Sequence, residues 1–190
     1  MQQSIIVKEV ARKFINASKG VEDIESALSG ARDIIAEWIS ENDYCRSRIR
    51  NLYLNEGILS STVIKSKKEE AEKYSAYFDF KEPVNKSASH RILAIFRAEN
   101  EGFLRVHLEP DEEKALDIIR KQFIKARNES SKEVEKALLD TYKRLIQPSI
   151  ENEVRQIYKE KADKKAIDVF SENLRQLLLT SPLGEKTVLA

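Results

Sequence analysis

Hydrophobic positions recur mainly at helical spacing along this chain of 190 residues. Apolar side chains at every third or fourth position mark one face of an amphipathic helix. The stripe within residues 21–40, which includes Ile34 and Trp38, is predicted to belong to the core. The last periodic stretch would be about 45 Å long at helical rise. We predict helices over residues 4–18, 21–40, 44–56, 89–101, 111–126, 132–146 and 149–179.

Two short stretches follow a different pattern. Residues 57–64 are rich in β-branched side chains and lack helical periodicity, which is typical of an extended segment. Leu104, Val106 and Leu108 alternate with Arg105 and His107, as in a half-buried strand. We predict that the two segments pair. The predicted fold class is therefore mainly α, a multihelical array with a small two-stranded β-ribbon and a long C-terminal helix.

Capping and helix-breaking residues predict where helices begin and end. Asp43 is predicted to cap the third helix, and Ser87 or Ser89 the fourth. Pro148 suits the first turn of a new helix, so residues 132–146 and 149–179 are predicted to form separate helices.

Composition limits the classes of function. Thirty-three basic side chains balance thirty-two acidic ones, so a polyanion could bind only at a local basic patch. Cys45 is the single cysteine and cannot form an intramolecular disulfide, and no long apolar run is present. We therefore expect a cytoplasmic setting without a membrane partner.

The residue types that carry catalysis are sparse. Two histidines and one cysteine cannot supply the nitrogen and sulfur ligands of a typical zinc site, and the five glycines are isolated rather than grouped into a phosphate-binding loop. The nucleophile-elbow pattern is absent as well. We expect no enzymatic activity, no metal, no cofactor and no small-molecule substrate.

Basic side chains at three places are candidates for contacts with nucleic-acid phosphates. One group lies at a predicted helix start, and two form stripes on other helices. For each group the alternative is structural, with the side chains capping a helix or pairing with nearby carboxylates. The candidates are His90, Arg91 and Arg97, then Arg46 and Arg50, then Lys114, Lys121 and Lys125.

Four aromatic side chains crowd into seven positions between two lysines. Rings interleaved with lysine can stack on bases, but such rings more often form a local core. The rings are Tyr74, Tyr77, Phe78 and Phe80, and the lysines are Lys73 and Lys81.

Three longer strings carry a family resemblance. They read KKEEAEKYSAYFDFKEP, SASHRILAIFRAENEG and FSENLRQLLLTSPLGEKTVLA. From about residue 21 to 190 the chain resembles the N-terminal helical region of the Tex family, bacterial transcription accessory proteins that bind nucleic acid. The resemblance implies that residues 1–182 form this region. It also implies that residues 183–190 are the first, truncated strand of a following ribonuclease-H-like (YqgF) domain.

The resemblance implies a function as well. The chain would be a non-catalytic helical scaffold in an RNA-binding transcription accessory protein, with an auxiliary phosphate-contacting surface. RNA or DNA would then be bound mainly by domains outside this chain. The alternative is an interaction module that docks on RNA polymerase or other transcription proteins without contacting nucleic acid.

Overall fold

A computed structural model describes residues 7–126, 128–181 and 184. Helices dominate this part of the chain, and three strands form a small sheet. Short 3-10 turns over Ala17–Lys19, Lys65–Lys67, Glu72–Tyr77 and Val84–Lys86 join them. The helices are α1 (Val7–Arg12), α2 (Ile24–Ser40), α3 (Asp43–Glu56), α4 (Ser89–Asn100), α5 (Glu112–Phe123), α6 (Glu129–Thr141) and α7 (Gln147–Leu179), and the strands are β1 (Ile58–Val63), β2 (Asp79–Pro83) and β3 (Leu104–Glu109).

Side-chain caps set several helix starts. Asn42, rather than Asp43, caps α3 by accepting a hydrogen bond from the Cys45 amide at 2.9 Å. Asp43 is instead the first residue of the helix. The prediction for α4 is also wrong, because Ala88 occupies the cap position and makes no side-chain bond. Ser87 instead donates its hydroxyl to the Glu82 carboxylate.

The sheet has the strand order β2-β1-β3, and both pairings are antiparallel. The predicted pairing of β1 with β3 is confirmed, with Leu59 opposite Leu108 and Ser61 opposite Val106. Strand β2 was not predicted, so the two-stranded ribbon is in fact three-stranded. Leu59, Val106 and Leu108 are buried on one face, while the residues of the opposite face are exposed or half-buried.

Helices α6 and α7 form one continuous helix, contrary to the predicted break. A π-helical segment over Tyr142–Ile146 joins them, and the Gln147 amide donates to the Tyr142 carbonyl five residues back. Pro148 follows directly in the first turn of α7. A proline lacks an amide proton, and the wider π turn accommodates it without ending the helix. The prediction of a mainly α fold with a long C-terminal helix is confirmed.

One core lies between the sheet and helices α3 to α7. It includes a pair of buried tyrosines, Tyr53 on α3 and Tyr142 in the π segment, whose hydroxyl oxygens are 3.3 Å apart. Gly57, between α3 and β1, permits close packing there, since a Cβ atom at this position would lie 2.3 Å from the Tyr53 carbonyl oxygen.

The prediction that the apolar stripe of α2 belongs to the core is only partly right. Ile39 is fully buried, but Ile34 and Trp38 are 52% and 63% exposed. The apolar stripe of this helix is therefore only partly covered.

The end of the chain differs from its body. In α7, Ile150, Val154 and Ala162 are buried, whereas every residue from Asp163 to Leu179 is exposed. The predicted strand over residues 183–190 falls outside the described residues, apart from Gly184. Within the described part of the chain, no helix is both long enough and apolar enough to cross a bilayer.

Candidate nucleic-acid interface

Arg46 and Arg50 on α3 face the start of α7 rather than open solvent. Arg46 donates to the Ser40 carbonyl at the end of α2 and to the Ser149 hydroxyl on α7, at 3.3 and 3.0 Å. Arg50 Nε lies 2.6 Å from Glu153 Oε1 on α7. Both arginines therefore join helices that are distant in sequence. This use leaves less of their charge available to a phosphate.

Arg91 and Lys114 are also engaged within the fold. The Arg91 guanidinium lies 2.9 Å from Glu82 at the end of β2. The Lys114 ammonium lies 2.5 Å from Glu56 at the end of α3, and this hydrogen bond raises the pKa of Lys114. In both cases the pair links two elements, as the structural alternative for these residues predicted.

His90 and Arg97 are exposed but do not form one site. His90 lies in the first turn of α4, and Arg97 lies in its last turn beside Glu101. The sequence predicts that Ser89-His90-Arg91, together with Arg97, can face phosphates at a helix start, but His90 and Arg97 do not lie side by side. They lie at the two ends of a helix of twelve residues.

Lys121 and Lys125 lie together at the end of α5. The Lys125 ammonium donates to the Lys121 carbonyl, and both residues line an open cleft of about 490 Å³. Arg120 and Glu135 line the same cleft and pair with each other at 2.9 Å. Lys114 points to Glu56 instead, so the three lysines do not act as one stripe.

The aromatic cluster belongs to the core. Tyr74 is buried, and Tyr77, Phe78 and Phe80 pack against the core from its edge. Lys73 lies above the Tyr74 ring at 4.9 Å and pairs with Glu101. The rings are therefore not free to stack on bases, and the interpretation as a local core is confirmed.

The structure also brings together polar residues that were not singled out in the sequence. At the end of β1 and the start of β3, Thr62 is opposite Arg105 in the strand register. Lys65 and Ser66 follow β1 directly and line a cleft with these two residues. The alternation of β3 placed Arg105 on the solvent face. Only the strand register shows which residues lie beside it.

Three potential metal ligands meet at the outer edge of β3. Atoms of His107, Glu109 and Glu151 lie within 4.8 Å of one another. However, Glu151 accepts a hydrogen bond from the Leu108 amide at 2.9 Å, and Glu109 accepts one from the Gln147 side chain. Burial raises the pKa of Glu151 above its usual value. The Glu151 carboxylate, on α7, therefore satisfies a backbone amide at the free edge of β3.

Burial disfavours ionisation of three buried side chains that could otherwise act as nucleophiles. Burial raises the pKa values of Cys45, Tyr53 and Tyr142. Cys45, in the first turn of α3, is fully buried, and the two tyrosine hydroxyls face each other in the core. A raised pKa makes a thiol or phenol a poorer nucleophile at neutral pH.

Comparisons with known proteins match this chain almost end to end. A family model described as Tex central region-like matches residues 2–170. YdcI of Bacillus subtilis is 42% identical over 181 residues, which cover 94% of this chain and 25% of that protein. The transcriptional accessory protein Tex of Neisseria gonorrhoeae is 36% identical over 189 residues, covering 96% of this chain and 25% of its own length.

A human relative extends the comparison beyond bacteria. The S1 RNA-binding domain-containing protein 1 of Homo sapiens is 30% identical over 189 residues, which cover 90% of this chain and 18% of that protein. The chain spans about a quarter or less of the length of these curated relatives. The resemblance found in the sequence is confirmed, with the matched part described as the central rather than the N-terminal region. The chain belongs to the Tex family and corresponds to the Tex central region.

Proposed function

We propose that this chain is a non-catalytic helical scaffold within a transcription accessory protein that binds nucleic acid, to which it adds an auxiliary phosphate-contacting surface. The names of two relatives, one a transcriptional accessory protein and one containing an S1 RNA-binding domain, support the transcription and RNA parts of this proposal. Most of the affinity would come from other domains of such a protein.

The observation that carries the scaffold proposal is how the fold uses its cations. Four of the candidate cations join separate elements: Arg46, Arg50, Arg91 and Lys114. These contacts bridge α3 to α7, β2 to α4 and α3 to α5. The four cations therefore help to hold these elements in position. Exposed cations such as Lys121 and Lys125 would supply the weaker contacts to phosphates.

The raised pKa values of Cys45, Tyr53 and Tyr142 support the proposal that the chain is non-catalytic. Turnover by the purified chain would contradict it if either His90→Ala or Glu82→Ala abolished the activity while the fold persisted.

The test of the auxiliary surface is a titration with labelled single-stranded RNA and duplex DNA at about 50 mM and about 200 mM salt. Phosphate contacts release counterions, so affinity should fall as salt rises. We expect Lys121→Ala/Lys125→Ala and His90→Ala/Arg97→Ala to weaken binding modestly. These exposed pairs can be removed without breaking an interhelical contact, unlike Arg46 and Arg50. Affinity that is unchanged by salt and by both variants would contradict the phosphate-contacting role.

A second candidate function is favoured by the exposed apolar side chains of α7. Five of them are 44–76% exposed on the part of the helix beyond the core: Ile167, Phe170, Leu174, Leu177 and Leu178. Contiguous exposed apolar surface marks interaction sites. We propose as the alternative that this part of α7 docks on a protein such as RNA polymerase. Binding to immobilised polymerase that resists salt and is lost in Phe170→Ser/Leu174→Ser would favour this alternative.

A further inference from the structure

A cleft with two cationic residues in its lining lies where β1 ends and β3 begins. Its volume is about 500 Å³, and its lining combines two cationic residues and two hydroxyl residues with two apolar residues. The lining residues are Thr62, Val63, Ile64, Lys65, Ser66 and Arg105. Thr62 and Arg105 are paired across the strands, so the sheet register itself fixes two sides of the cleft.

The cations of this cleft differ from Arg50, Arg91 and Lys114, which form ion pairs within the fold. Lys65 and Arg105 are both exposed, and among the residues that the structure describes neither forms an ion pair. Within the described ranges, no carboxylate residue lines the cleft. Asp79 belongs to the same face of the sheet, but it borders Thr62 from the side opposite Arg105. The cleft therefore concentrates positive charge.

We propose that this cleft binds a phosphate of a nucleic-acid backbone, a proposal that rests on the function proposed above. Lys65 and Arg105 would supply the two positive charges, and the hydroxyls of Thr62 and Ser66 would donate hydrogen bonds to phosphate oxygens. Arginine presents several N–H donors in a planar fork, which suits phosphate geometry, while lysine acts as a point charge.

The surroundings favour a polymer over a small anion. The cleft opens onto the solvent face of the sheet, where Lys81 and His107 flank Ser60 in the next row of the register. Both are exposed, so a chain of phosphates leaving the cleft on the Lys81 side would meet a further cation, whereas the carboxylates of Glu109 and Glu151 lie beside His107. The cleft beside Lys121 and Lys125 is less suitable, because Glu135 and the paired Arg120 line it.

The experiment compares charge-matched double variants in a titration with a labelled single-stranded RNA. We expect Lys65→Ala/Arg105→Ala to lower affinity about tenfold at about 50 mM salt. It should also reduce the slope of log affinity against log salt by about 1.4, because two cations leave the interface. The control, Lys164→Ala/Lys165→Ala, removes the same charge from exposed positions of α7 and should change affinity by less than about twofold. Lys65→Arg/Arg105→Lys keeps both charges and should therefore retain the salt slope of the unmodified chain.

In a second experiment the chain is titrated with inorganic phosphate, and the amide chemical shifts of Thr62 and Ser66 are measured. RNA binding that weakens only in the cleft variant supports the proposal. Equal weakening in the cleft and control variants overturns the cleft and leaves the proposed function standing. Shifts with phosphate but no RNA binding overturn the nucleic-acid assignment in favour of a small-anion site. Absence of salt-sensitive RNA binding by the unmodified chain overturns both the cleft and the auxiliary surface. Thermal unfolding of each variant identifies any loss that comes from misfolding.

Discussion

The two halves of α7 share one helix but have opposite environments. Along the proximal half, from Gln147 to Ala162, apolar side chains such as Ile150 and Val154 are fully buried. Along the distal half, from Asp163 to Leu179, side chains of the same kind are exposed, and Leu178 reaches 76%. The apolar pattern that predicted the helix is present in both halves. The difference teaches that periodicity reports an apolar face and does not report what covers it.

The largest expected difference between the two halves is in how much a truncated apolar side chain lowers the free energy of unfolding. Ile150→Ala should lower the free energy of unfolding by about 2–4 kcal/mol, because it removes fully buried methyl and methylene groups and leaves a cavity. Leu177→Ala, at a side chain that is 70% exposed, should change it by less than about 0.5 kcal/mol. Urea denaturation of both variants measures the difference. Similar losses in the two variants would show that the distal half is covered in solution.

Removing an arginine should lower the free energy of unfolding more in the proximal half than in the distal half, although by less than the loss of a buried apolar side chain. Arg155 in the proximal half pairs with Glu99 on α4 and lies over the Phe96 ring at 5.1 Å. Arg155→Ala should cost about 1–3 kcal/mol, since it leaves a partly buried carboxylate without its partner. The matched control is Arg175→Ala in the exposed half, expected to cost less than about 0.5 kcal/mol. Thermal and urea unfolding test the pair, and a loss at Arg175 as large as that at Arg155 would contradict the comparison.

The smallest effect concerns pH. Burial raises the pKa of Glu151, so the native state holds this proton more tightly than the unfolded chain does. The carboxyl therefore lowers stability progressively as pH rises from about 4 to about 7. Glu151→Gln cannot ionise, and its amide oxygen can still accept from the Leu108 amide.

The stability of Glu151→Gln relative to the unmodified chain should consequently be higher at about pH 7 than at about pH 4. The matched control is Glu172→Gln, which makes the same substitution at an exposed position of the distal half. Urea denaturation at the two values measures both differences. A relative stability of the Glu151 variant that falls with rising pH would refute the assigned effect of burial.

Local signals predicted much of this fold. The alternation of Leu104, Val106 and Leu108 identified β3, and the acidic start after Pro110 identified α5, which Asp111 caps. Strand β2 escaped prediction because Asp79–Pro83 contains charged residues and a proline. Its strand character comes from pairing with β1, about twenty residues earlier, rather than from its own pattern.

The candidate interface was less predictable than the fold. Arginine and lysine positions can be read from the sequence, but their partners cannot. Arg46 meets Ser149 across 103 positions, and Arg50 meets Glu153 across a similar span. The cleft beside Lys65 and Arg105 likewise depends on the strand register. Such contacts arise from tertiary packing, which no local window of sequence contains.

The π segment has an angular consequence for the long helix. Buried positions succeed one another every four residues through Leu138, Tyr142, Ile146, Ile150 and Val154. In a regular helix, each step of four residues rotates the side chain by about 40° beyond a full turn. Over several steps this drift would carry the side chains away from the core. The wider turn at Tyr142–Ile146 compensates part of this rotation. It therefore sets the rotation of the following residues of α7 about the helix axis. Its presence thereby determines which direction the exposed apolar residues of the distal half point.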